Sequence, residues 1–151
     1  MKRVVVDESF WEVFPDAEIA IMYVDGIDNH DTDENKAERA ELLKQATAES
    51  AKFTKEETFR DNPVVAQWRE AYAKFPKRKG ARASIEALLK RASQGHVFEP
   101  IEPLVDVYNS ISLRYGVPVG IEDRDKIAGD MHLGKAKGGE SFQPVGADKD
   151  D

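Results

Sequence analysis

The 151-residue chain is predicted to be α+β, with helices packed on a mixed, mainly antiparallel sheet. Two observations carry that expectation. Apolar residues recur at helical spacing through the first two-thirds of the chain. After Gly116 the pattern changes to short apolar runs separated by glycine-containing turns. The result is a helix-rich first two-thirds and a strand-rich C-terminal part, the order of elements expected of an α+β domain. A chain of this length can bury roughly two-thirds of the surface its unfolded state exposes, so a real core is within reach.

The elements follow in order. Residues 2–6 (Lys-Arg-Val-Val-Val) read as a short strand, and residues 7–14 as one helical turn with Ser9 as a cap and Pro15 as its stop. Residues 17–24 hold Ile19, Ile21, Tyr23 and Val24 and read as a buried strand ended by Asp25-Gly26. A long helix of good formers runs from Thr32 to about Phe53, its start favoured by Asp33 and Glu34 and its apolar stripe narrow around Leu42 and Leu43. Asn62-Pro63 opens the next helix, in which Val65, Trp68, Tyr72 and Phe75 share one face before Pro76 stops it. Ser84 is placed to cap a helix carrying Ile85, Leu88, Leu89 and Ala92, closed by Gly95. A helix over residues 103–115 has Leu104, Tyr108, Ile111 and Tyr115 on one face and Gly116 at its end. Strands are expected at residues 117–121, 131–136 and 142–145, with Gly138-Gly139 as a turn. Residues 1–146 form one domain in this reading, and the acidic residues 147–151 a disordered tail.

Hydrophobic residues make up 40 % of the chain and charged residues 34 %, and there is no cysteine. That excludes disulfides, thiolate nucleophiles and cysteine zinc sites, and it fits a reducing compartment. Only Val4, Val5 and Val6 follow the N-terminal Lys2-Arg3 before Asp7, too few for a secretion signal, and no run approaches membrane-spanning length. The expected location is the cytoplasm. The net charge is −7, which argues against a nucleic-acid binder taken as a whole. Between Trp68 and Arg91, however, eight lysines and arginines meet only Glu70 and Glu86. This segment carries +6 and the remainder −13, a basic surface on an acidic body or a solvated helix pair with a lysine-rich turn.

Catalytic and metal motifs are absent. A calcium loop started at Asp31 places Asp33 and Asn35 correctly but puts Lys36 where glycine belongs and Leu42 where the final glutamate belongs. His30, His96 and His132 share no ligand spacing, and no serine sits in a nucleophile elbow. Neither a metal nor a cofactor is expected. Two features remain. The run Lys77-Arg78-Lys79-Gly80-Ala81-Arg82 is a basic turn between helices that can reach phosphates. Asn109 and Ser112 lie three apart on an otherwise apolar or exposed helix, and a half-buried asparagine must find partners. Those partners are either neighbouring backbone, tying down the loop between Pro100 and Pro103, or a ligand.

The stretch LVDVYNSISLRYGVPVGIEDRDKI over residues 104–127, then Gly129-Asp130 and AKGGESF over residues 136–142, resembles the tRNA-binding and editing region of the phenylalanyl-tRNA synthetase β subunit. It is closer still to free-standing relatives of that region, in which a basic segment like residues 77–91 precedes the same long motif. The similarity runs from about Trp68 to Gly146, and residues 1–60 carry no signature of it. The resemblance implies a domain that recognises aminoacylated tRNA and, in the synthetase, hydrolyses tyrosine wrongly attached to the phenylalanine tRNA. Asn109 matches the family's pocket asparagine, Tyr108 stands where its pocket threonine is, and Gly120 where its pocket histidine is. The family's further pocket residues, a glycine-rich turn and a glutamate, have no counterpart, so the chain is either a shortened member or the N-terminal part of a longer protein. An aminoacyl ester is already activated, and a positioned water with a few donors can hydrolyse it without a side-chain nucleophile.

The resemblance therefore implies a substrate pocket of Tyr108, Asn109, Ser112 and Gly120, and Lys77, Arg78, Lys79 and Arg82 on tRNA phosphates. The function expected is tRNA binding with hydrolysis of mischarged aminoacyl-tRNA in trans, in the service of translation fidelity. Two alternatives stay open: a non-catalytic RNA-binding module and a pocket for a free aromatic amino acid.

Overall fold

The computed structural model describes residues 2–76 and 80–141. The chain divides into two compact units, Met1–Met22 with Glu122–Asp151, and Tyr23–Ile121.

The first unit holds strand β1 (Val4–Val6), helix α1 (Glu8–Trp11) and strand β2 (Met131–Leu133). The strands pair in parallel, Val4 opposite Met131 and Val6 opposite Leu133. At one end of the pair Arg3 grips Asp130 through its backbone N–H (2.9 Å), Nε (3.0 Å) and Nη2 (2.8 Å). At the other, the Asp7 N–H donates to the Leu133 carbonyl (2.9 Å) and Asp7 Oδ1 meets His132 Nδ1 (2.8 Å). Ser9 does not cap α1; its Oγ accepts the Lys135 N–H (3.0 Å). A Cβ at Gly134 would stand 2.8 Å from the Asp7 carboxylate, so a larger residue there would push that side chain aside.

Among its described residues the second unit has helices and no strand: α2 (Asp33–Ser50), α3 (Pro63–Ala73), α4 (Ser84–Ser93) and α5 (Pro103–Tyr115), with short 3₁₀ turns at Ala51–Phe53 and Phe59–Asp61. Thr32 opens α2 with a capping box, its hydroxyl accepting from the Asn35 N–H while Asn35 accepts from the Thr32 N–H. The stripe that α2 buries is Arg39, Leu43, Ala46 and Ser50, half of it polar. The core joins Ala46 to Val65, Ala83, Ile85, Leu88, Leu89 and Leu113, with Trp68, Tyr72 and Phe98 packed against it. Gly116 closes α5 at φ 68°, and a Cβ there would stand 3.0 Å from the Phe53 ring. Both the backbone and the space therefore demand glycine.

The expected mixed, mainly antiparallel sheet with a strand-rich C-terminal part is not what forms. Among the described residues there are two short strands, and they are parallel. Residues 117–121 take no strand because Pro118 lacks a ladder donor and Gly120 brings no side chain to pack. Residues 17–24 form no strand, and Met22 is 84 % exposed. An apolar run becomes a buried strand only when another strand takes its backbone groups. The strand expected at 142–145 and the tail at 147–151 lie outside the described residues.

Two caps also differ. Asn62 begins α3 but turns its amide to the preceding loop, accepting the Glu56 N–H (3.0 Å) and donating to the Phe59 carbonyl (2.9 Å). Ser84 is the first residue of α4, and Ala83 occupies the cap position without a side-chain bond.

Candidate functional site

The α5 end of the second unit is assembled from parts far apart in sequence. Pro103 at the first helical position has no N–H, so Leu104 supplies the first orphan donor. Asn29 takes it: its Oδ1 accepts the Leu104 N–H at 2.9 Å while its amide donates to Glu102. Glu102, at the cap position, makes no side-chain cap bond of its own. One turn further on, Asp106 accepts the Ile101 N–H (3.0 and 3.2 Å) and pairs with the Arg39 guanidinium. Arg39 also pairs with Asp31, and its Nε and Nη2 bond to the Asn35 carbonyl and side-chain oxygens at 3.2 and 3.1 Å. Two charges in a dry interior are tolerated only when paired and fully hydrogen-bonded, and this arrangement meets that condition.

A cavity of about 50 Å³ opens beside this network. Leu43, Leu88, Phe98 and Ile101 form its apolar walls, and Arg91, Glu99, Asp106 and Asn109 its polar ones. Arg91 lies over the Phe98 ring at 5.0 Å and bonds to His96, which stands edge-on to the same ring at 5.1 Å. Asp106 is committed to Arg39 and Ile101. Asn109 and Glu99 have no side-chain hydrogen bond or ion pair among the described residues. The loop between Pro100 and Pro103 is thus tied by Asp106 and Asn29, and the Asn109 amide remains available to the cavity.

The other expected site residues are placed as follows. Tyr108 is half-buried and Ser112 buried on α5. Gly120 is exposed, with nothing within 4 Å of where a side chain would begin, and it does not line the cavity with Asn109. The face of α5 turned inward is Asp106, Ser110 and Leu113, whereas Ile111 and Tyr115, on the face read as apolar from the sequence, are 37 % and 66 % exposed. Arg82 is exposed beside the start of α4, and Lys77, Arg78 and Lys79 lie outside the described residues.

Several other cations of the basic segment have structural partners. Arg69 donates twice to the buried Glu86, through Nε (3.0 Å) and Nη2 (2.7 Å), and those hydrogen bonds raise its pKa further above the ordinary value. Lys90 sits over the Phe59 ring at 4.7 Å. Arg91 was legible only as one of eight basic residues, and Glu99 between Phe98 and Pro100 carried no signal in the sequence.

Among the described residues no group of three or more His, Asp or Glu is placed to hold a metal ion, and no helix is long and apolar enough to cross a membrane. A family model, the B3/4 domain, matches residues 67–151, more than half of the chain. No curated protein and no solved structure matches.

Proposed function

Because the chain belongs to the B3/4 domain family, a domain found in phenylalanyl-tRNA synthetase β subunits, we propose that it binds aminoacylated tRNA and hydrolyses the aminoacyl ester in trans. The observation that carries this reading is the Asn109 amide, which lines a cavity without a protein partner inside the matched region. The amide keeps access to solvent, so a water or a ligand in the cavity can bond to it.

The division of labour follows from the chain's own residues. Lys77, Arg78, Lys79 and Arg82 meet phosphates before the start of α4, and the cavity lies toward the end of the same helix. Within α4, which starts at Ser84, Leu88 and Arg91 line that cavity. Asn109 holds the aminoacyl carbonyl or the attacking water. Water adds to the ester carbonyl, the bond to the ribose oxygen breaks, and the products are free amino acid and the terminal hydroxyl of the tRNA. Positioned donors supply the stabilisation, so no side-chain nucleophile is required.

The test is incubation of the full chain with tRNA charged with tyrosine, phenylalanine or alanine, following ester loss and RNA binding together. Binding should weaken with salt by nearly one log unit per log salt for each phosphate contact, and alanine at Lys77, Arg78, Lys79 and Arg82 should flatten that slope. Charged tRNA that binds yet keeps its ester would leave the non-catalytic module. Failure to bind would remove both readings.

A further inference from the structure

We infer that the cavity beside Asn109 admits an aminoacyl group with a small side chain, glycyl or alanyl, and shuts out aromatic ones. This rests on the aminoacyl reading of that cavity and adds its selectivity. The first support is size. A cavity that takes a benzene ring measures about 150 Å³, three times the space available here. About 50 Å³ holds roughly three or four water-sized groups, matching the ammonium, α-carbon and methyl of an alanyl group.

The second support is the wall chemistry. Leu88 is buried in the core and Phe98 packs against it, so neither can withdraw to admit a ring without loss of packing. Ile101 is 71 % exposed and marks where the cavity meets solvent. Glu99 brings to that rim a carboxylate without a partner among the described residues, the group that an α-ammonium requires. Arg91 uses one Nη2 contact on His96, which leaves guanidinium donors for an acyl oxygen. Cation site, acyl-oxygen donors and a methyl-sized apolar hollow thus stand around one small space.

The experiment titrates the isotope-labelled full chain with glycinamide, alaninamide and tyrosinamide, which carry the free ammonium and neutral acyl carbon of an aminoacyl ester. The side-chain amide signals of Asn109 should shift to saturation with glycinamide and alaninamide and stay in place with tyrosinamide. Glu99→Gln should weaken alaninamide binding about tenfold, the loss of one charge-assisted hydrogen bond. Ile101→Ala, on an exposed wall that the fold does not need, should let tyrosinamide in. Equal shifts with tyrosinamide, no shift with any of the three, or unchanged affinity in Glu99→Gln would each overturn the inference. Loss of salt-dependent RNA binding alone would remove the tRNA reading and leave alaninamide binding standing, so the two failures are separable.

Discussion

Arg39 and Asp106, 67 residues apart in the chain, form an ion pair closed to water, with 6 % and 1 % of their side chains exposed. The pair joins α2 to α5, and Asp106 simultaneously holds the Ile101 N–H. It anchors the strand of loop that walls the Asn109 cavity, so structure and candidate site share one interaction.

Removing one partner should cost far more than removing both. Arg39→Met leaves a buried carboxylate uncompensated and should lower the unfolding free energy by about 3–5 kcal/mol. The double change Arg39→Met with Asp106→Leu should recover a large part of that loss. Urea denaturation of the three variants measures it, and additive losses would mean that the two side chains act independently.

Asn29→Ala tests the cap supplied from a distant loop. The Leu104 N–H loses its acceptor, and no side chain at Glu102 replaces it. The expected loss is about 1 kcal/mol, read as a lower midpoint in thermal or urea unfolding with an unchanged slope.

Asn109→Ala should behave oppositely. The amide makes no protein hydrogen bond among the described residues, so stability should change by no more than about 0.5 kcal/mol. Ester hydrolysis, or alaninamide binding, should disappear. A melting temperature several degrees lower would instead assign Asn109 a structural role.

The strand pair should be acid-sensitive through Asp130. Hydrogen bonds from the Arg3 backbone and then its guanidinium hold this carboxyl below the usual aspartate range. As pH falls, the unfolded chain takes up that proton first, so the contribution is present above the ordinary aspartate value and lost as pH drops through the folded one. Asp130→Asn should therefore lower stability at neutral pH and flatten its dependence on acid pH, the two proteins converging once pH has fallen through the folded value. Melting temperatures across the acid range for the two proteins decide it.

Local chemistry alone determined much of the helical unit. The spacing of Val65, Trp68 and Tyr72, the proline at the start of α3 and of α5, and the glycine after Tyr115 marked those helices within a residue or two. Thr32 and the acids behind it marked the start of α2 in the same way. The basic segment and the Asn109 motif were also visible, because each is a short run whose composition is unusual for this acidic chain. Only the tertiary structure decided which face of α5 turns inward and whether the later apolar runs become strands. Periodicity assigns polar residues to solvent, and it cannot know that Asp106 is matched by Arg39 from another helix. A strand likewise exists only through a neighbouring strand, and among the described residues 17–24 and 117–121 join no sheet, whereas Val4–Val6 pair with Met131–Leu133. The cavity belongs to that second class: Arg91, Glu99 and Asn109 meet around it because α4, a loop and α5 converge, a relationship that spacing along one chain segment does not contain.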